Sequence, residues 1–137
     1  QALRERYPGK KIYIYADPAG NQRRTSARDN TDHTIITQWG MELRAPRAHP
    51  LVKDRINAVN RLLCNADDQR HLFVDPKCKE SITALSKQQY KPGTSIPIKD
   101  AEFGYDGVND GIGYAVSYLY PLRKEYTERT QKVFGAF

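Results

Sequence analysis

KIYIYADPAG, residues Lys11–Gly20, opens as a β-branched and aromatic run over Lys11–Ala16 and then breaks into Asp17-Pro18-Ala19-Gly20. Such a run reads as a buried strand, and the break after it as a turn. A buried strand that ends on a carboxylate is informative. In open α/β sheets, ligands gather outside the carboxyl ends of the strands.

Working outward, Asn21–Thr31 is polar and carries Arg23, Arg24 and Arg28, which predicts a loop. His33–Trp39 reads as a second strand, and Gly40 turns the chain into a short third one over Met41–Ala45. Together the three segments predict an antiparallel meander. Pro50 opens a helix over Leu51–Cys64, with Val52, Ile56, Val59 and Leu63 at helical spacing toward the core. Leu72–Asp75 reads as a short strand ending in Asp-Pro. A helix follows from Lys79 to about Tyr90, with Ile82 and Leu85 inward, and Lys91-Pro92-Gly93 stops it. Pro97 makes Ser95–Lys99 an edge segment at most. A last helix is predicted over Gly107–Tyr120, with Val108, Ile112, Ala115, Val116 and Leu119 as its stripe; Arg123–Phe134 is an amphipathic helix or a tail. The sum is an α/β arrangement, helices flanking a mixed sheet.

The chain has 137 residues, enough for one domain with its own core. It carries 22 Lys and Arg against 16 Asp and Glu, a net charge of +6. That balance suits a polyanion such as nucleic acid, and serves solubility equally well. No apolar run is long enough to span a bilayer, and no signal-peptide pattern opens the chain. Gln1 at the start suggests a piece of a larger polypeptide or a processed chain. Cys64 and Cys78 have no metal spacing, and the apolar context of Cys64 reads as a buried thiol. Trp39 and the nine tyrosines read mostly as sheet and core packing, and His33 and His71 as surface or packing residues.

Three carboxylates stand where elements end: Asp17 after the first strand, Asp75 after Leu72–Val74, and Asp110 in the first turns of the last helix. If the Lys11 and Leu72 strands lie parallel, joined by the Leu51–Cys64 crossover, Asp17 and Asp75 emerge at one edge. With Asp110 they would form an oxygen-rich site for hard cations, two Mg²⁺ or Mn²⁺ ions ~3.5–4 Å apart. Each aspartate also has a plain structural role: Asp-Pro is a common turn element, and an acid at a helix start is favoured by the dipole.

Several segments resemble the nuclease domain of the large terminase subunit of tailed bacteriophages, the DNA-packaging motor. They are YIYADPAG (Tyr13–Gly20), DHTIITQWG (Asp32–Gly40), LVKDRINAVNRLLCNADDQRHLFVDPKCKESITAL (Leu51–Leu85), YKPGT (Tyr90–Thr94) and NDGIGYAVSYLYP (Asn109–Pro121). The resemblance implies a ribonuclease H-like fold and two-metal hydrolysis of concatemeric double-stranded viral DNA. It makes Asp17, Asp75 and Asp110 the catalytic, metal-holding acids. Many relatives carry His three residues before the helical acid, where this chain has Gly107, with Asp106 one residue further back; Asp110-Gly111 also stands where Asp-Ala is common. Asp106 is i−4 from Asp110, so it too is a candidate ligand.

The resemblance further implies residues 1–137 as one nuclease domain, C-terminal in a longer chain. Its partners would be the packaging ATPase domain, the small terminase subunit and the portal, in the host cytoplasm without a membrane. No phosphate-loop motif occurs in the chain itself. Arg23, Arg24 and Arg28 are candidate phosphate contacts or a solvated loop; Lys77 and Lys79 form a basic rim or a solvated helix start. Asp32 is a candidate supporting carboxylate, with Asp29 a weaker one. Two other readings stay open: a different ribonuclease H-like enzyme of resolvase or integrase type, and a non-catalytic module that binds DNA or a partner.

Overall fold

In the computed structural model, residues 2–22, 31–99 and 102–122 are described. Arg23, Arg24, Arg28 and Asp29, and the expected tail Arg123–Phe134, lie outside them. The element order is α1 (Ala2–Arg6), β1 (Tyr13–Tyr15), a 3₁₀ turn (Pro18–Asn21), α2 (Asp32–Gln38), β2 (Glu42–Arg44), α3 (Val52–Leu63), α4 (Lys79–Lys87) and α5 (Tyr105–Leu119). The fold is mixed α/β with a small sheet.

Two expectations about that sheet are corrected. Asp32–Gln38 is a helix, not a strand. Its β-branched run, Thr34 to Thr37, favours a strand by propensity, but both ends are capped. Thr31 Oγ1 accepts from Thr34 N at 3.1 Å, satisfying a first-turn donor. At the other end Gly40 N donates to Thr37 O and Met41 N to Ile36 O, with Gly40 at φ +70°. That is a Schellman close, which requires the left-handed conformation glycine adopts without strain. With a helix between them, β1 and β2 pair parallel rather than antiparallel, Tyr13 opposite Glu42 and Tyr15 opposite Arg44.

Leu72–Asp75 is the second correction, because it forms no strand. His71 N and Leu72 N both donate to Leu62 O, which ties the segment to the end of α3 instead of to a neighbouring strand. Leu72 packs into the core while Phe73 is 78% exposed. Ser95–Lys99 does make an edge, through an isolated antiparallel bridge between Tyr90 and Pro97.

The core sits between α3 and α5, with α4 against α5 and β1 on its other flank. Ala58, Val59 and Val116 are its buried centre, and Leu62, Leu72, Leu85 and Ile112 close around it. On α3 the inward residues are Arg55, Ala58, Val59, Leu62 and Leu63, so Val59 and Leu63 of the expected stripe face the core, Ile56 is half-buried and Val52 is exposed. On α4, Ala84 is fully buried and Ile82 is exposed. On α5, Gly113, Tyr114 and Val116 are buried and Leu119 is not. Cys64 and Cys78 are free and exposed, and Trp39 with most of the exposed tyrosines lies outside the core.

Gly40 gives a direct test of the α2 close. A Cβ there would meet Arg4 Nη2 at 2.8 Å. The Arg4 guanidinium donates to the carbonyls of Trp39 and Gly40, bracing α1 against this turn. Gly40→Ala is expected to cost about 1–2 kcal/mol from the left-handed backbone, read as a lower midpoint in urea unfolding.

Candidate functional site

β1 delivers Asp17 to the sheet edge, and the Asp-Pro pair turns the chain there. Asp17 Oδ1 accepts from Ala19 N at 2.8 Å and so caps the 3₁₀ turn. Its backbone carbonyl accepts from His33 Nε2 at 2.9 Å, which pins α2 to the end of β1. His33 is buried, and a Cβ on Gly20 would strike its ring at 2.7 Å. His49 Nδ1 lies 3.3 Å from Asp17 Oδ1.

Across from this edge stands α5. Asp110 Oδ1 accepts from Arg55 Nη1 at 2.9 Å; Asp110 is 53% exposed, whereas the Arg55 side chain is only 7% exposed. The Arg55 guanidinium lies over the Tyr114 ring, 4.3 Å from its centroid. The Tyr114 phenol lies close enough to the Asp17 carboxylate for each to shift the other's ionisation. A run of neighbouring side chains therefore passes from Asp17 through Tyr114 and Arg55 to Asp110, built from the end of β1, from α3 and from α5. Close approach of the two helices permits it: Gly113, with no side chain, lets the Arg55 Cβ pack against α5.

The electrostatics follow from this packing. Partial burial pushes the Asp17 carboxyl up, but the Ala19 amide, the Tyr114 hydroxyl and the charges of His49 and Arg55 outweigh it, and the net pKa falls below the ordinary carboxylate value. Tyr114 moves the other way. Burial first, then the neighbouring Asp17 carboxylate, carries its phenol from 10.0 to about 12, against the pull of Arg55. The two shifts have opposite consequences for stability. Asp17 contributes stability above its ordinary carboxylate pKa, and that contribution is lost as pH falls through the lowered value. Tyr114 favours the fold while neutral, so its contribution is full below pH 10.0 and is lost as pH rises toward about 12. Spectrophotometric titration should show one late-ionising tyrosine; Tyr114→Phe removes that phase, and Asp17→Asn moves it back toward the ordinary value. A Tyr114→Phe curve superimposable on wild type would contradict this assignment.

The other expected residues are placed as follows. Asp106 stands in the first turn of α5, because that helix starts at Tyr105, and it lines the same pocket as Asp110. Asp32 lies with Asp17, Gly20 and His33 around a shallow cleft. Asp75 is exposed at the turn before α4, where its Oδ1 accepts from Lys77 N at 2.8 Å. Lys77 and Lys79 are exposed beside it. Asp17 and Asp110 are thus brought together through Arg55 and Tyr114, and no hydrogen bond or ion pair described joins Asp75 to them. Among the described residues, no group of three or more His, Cys, Asp and Glu is assembled as a metal site. No helix among them is long and apolar enough to cross a membrane.

Sequence reasoning missed Arg55, Tyr114 and His49, whereas His33, read as a surface or packing residue, is buried against the Asp17 turn. Arg55 did leave a signal: it is the one charge at i, i+3, i+4, i+7 with Ala58, Val59 and Leu62. A cation inside an apolar helical face needs a buried partner. Comparison with known proteins found no matching family model, no matching curated protein and no matching solved structure.

Proposed function

We propose that this chain is a metal-dependent endonuclease domain of the large-terminase type, with a ribonuclease H-like fold, cutting double-stranded viral DNA during packaging. The observation that carries the reading is the Asp17–Tyr114–Arg55–Asp110 chain. It joins a carboxylate at the end of a strand to one on a helix across a single buried cation. The expectation from sequence had set Asp17 and Asp75 at one sheet edge, with Asp110 as the third acid.

The residues suit hard divalent cations in kind. Carboxylate oxygens are the donors Mg²⁺ and Mn²⁺ prefer, and the ground between Asp17 and Asp110 already draws a positive group. Asp17 and Asp110 would be the principal ligands, with Asp106 on the same helix face and Asp75 arriving from its turn. Two ions, when bound, would supply an activated water and a Lewis acid for the leaving 3′ oxygen. The protein's own groups have separate tasks. Tyr114 holds the Asp17 carboxylate in place and keeps it ionised. Arg55 orients Asp110 and offsets the repulsion that two close acids would otherwise feel. Lys77, Lys79 and the arginines at 23, 24 and 28 would meet phosphates, with the ATPase domain, small subunit and portal as partners of the whole machine in the host cytoplasm.

One observation favours a non-catalytic module instead: Asp17 and Asp75 each cap a turn through Oδ1, a full structural role. Mn²⁺ calorimetry separates the two, because turn residues alone bind no ion tightly. Incision of supercoiled plasmid in Mn²⁺ tests the nuclease. An intact plasmid under conditions where a control nuclease cuts it would count against the proposal.

A further inference from the structure

One face of the sheet has no task in the proposed site. Side chains alternate along a strand, so the pairing of Tyr13 with Glu42 and of Tyr15 with Arg44 sets these four on one side, with Ile14 and Leu43 on the other. Leu43 shares a cleft with Thr34 and Thr37 of α2. The first side is built of rings and cations. The Arg44 guanidinium lies over the Tyr13 ring, 3.9 Å from its centroid, and the Lys11 ammonium stands 5.1 Å from the same centroid. Tyr15 carries the row on to α5, its ring 5.5 Å from that of Tyr118.

Arg44 is fixed along its edge. Nε and Nη2 donate to Glu42 Oε1 at 3.2 and 3.1 Å, and Nη1 donates to the Tyr15 hydroxyl at 3.2 Å. The group stays accessible all the same: Tyr13 is 38% exposed, Tyr118 43%, and the Arg44 side chain 31%. Lys11 and Arg44 share the single Glu42 carboxylate, which leaves positive charge in excess. Open rings, a layered guanidinium and surplus positive charge fit an unpaired nucleic-acid strand, whose bases are flat and whose backbone is anionic. An acidic peptide would call on free hydrogen-bond donors, and those of Arg44 are largely spent on Glu42 and Tyr15.

We propose that this face is a stacking surface for unpaired DNA bases, which add to the Arg44–Tyr13 layer and to Tyr118. The inference rests on the nucleic-acid reading above and deepens it. Both elements lead into the proposed reaction centre. Asp17 follows Tyr13 by four residues, at most about 13 Å at the rise of an extended strand. Tyr118 lies one turn along α5 from Tyr114. A strand seated here runs toward the acids. Stacking reads no base edge, so the surface is tolerant of sequence.

The test is binding by metal-free protein, measured by anisotropy, to a short labelled single strand of mixed sequence. The control is a strand of equal length made of abasic units, so the phosphate charge is unchanged. The normal strand is expected to bind about tenfold more tightly, the order of one stacked base. Tyr13→Leu, which keeps an apolar residue in the strand, should lose most of that preference, and Tyr13→Phe should keep it. Tyr118→Leu should reduce it severalfold. Lys11→Gln should weaken both strands alike, as loss of a phosphate contact does. A readout on unaltered protein stands beside the variants: a strand carrying iodouracil, irradiated in the complex, should cross-link to Tyr13 or Tyr118.

Equal affinity for the two strands overturns the surface while leaving DNA binding intact. Preference retained in Tyr13→Leu and Tyr118→Leu, or cross-links that fall only elsewhere, overturns it too. So does a wild-type dimer in sedimentation that Tyr13→Leu dissociates, without base preference, since the face would then join two copies of the chain. Failure to bind either strand removes the surface and the nucleic-acid reading together. Base preference that depends on Tyr13, without Mn²⁺-dependent incision, supports the surface and counts against the nuclease alone.

Discussion

Asp17→Asn, Asp75→Asn and Asp110→Asn are each expected to lower Mn²⁺-dependent plasmid incision by more than about a hundredfold. That exceeds the roughly 10–100-fold lost when a residue that merely supports a metal ligand is changed. Asparagine is the informative substitution here. Its side-chain oxygen still accepts from Ala19 N or Lys77 N, so the turns that Asp17 and Asp75 cap survive. The negative charge is what disappears. An alanine at position 17 would also cost about 0.5–2 kcal/mol in lost capping and blur the outcome. Circular dichroism should show the asparagine variants folded. Incision at the wild-type rate in any one of them would remove that residue from the metal set. For Asp75 this is the sharper question, since its carboxylate is engaged only in its own turn among the contacts described. Asp106→Asn, read beside Asp110→Asn, decides which of the two acids on that helix face carries the larger share.

How far the sequence foretold this site depends on which forces were local. Tyr13–Tyr15 as a strand, and the helices from Val52, Lys79 and Tyr105, follow from runs and periodicity that act within a few residues. The placement of Asp17 at a strand end, and of Asp106 with Asp110 on one helix face, comes with them. Asp32–Gln38 was misread because β-branched residues suggested a strand, while the deciding features were the Thr31 cap and the glycine close at position 40. Both lie in the sequence but outweigh propensity only once a helix is considered. Parallel pairing of β1 with β2 then follows from that helix. The fate of Leu72–Asp75 was not local at all, since the amides of His71 and Leu72 are taken by Leu62 O at the end of α3. Arg55 is the most instructive omission. A stripe drawn through apolar residues alone excludes it, and takes in the exposed Val52 instead.

Arg55→Ala is expected to lower unfolding free energy by about 2–3 kcal/mol, and the reason is packing more than charge. Breaking a fully buried ion pair costs about 3–5 kcal/mol, but Asp110 is 53% exposed and recovers water once its partner leaves. The ionic part is therefore nearer the 0–1 kcal/mol of a surface pair. What the truncation removes is the stem beside Gly113 and a guanidinium over the Tyr114 ring, a contact worth about 0.5–2 kcal/mol. It also leaves a cavity between α3 and α5, which adds to the loss. Arg55→Met separates these contributions: it refills the stem, carries no charge and abolishes the unpartnered Nε, so it should recover more than half of the deficit in urea denaturation. A double-mutant cycle between Arg55→Met and Asp110→Asn should give a coupling of less than about 1 kcal/mol. If Arg55→Met is as unstable as Arg55→Ala, or the coupling approaches the buried-pair value, the guanidinium charge is the main support of this helix pair. Asp110 would then be a structural anchor first and a metal ligand second.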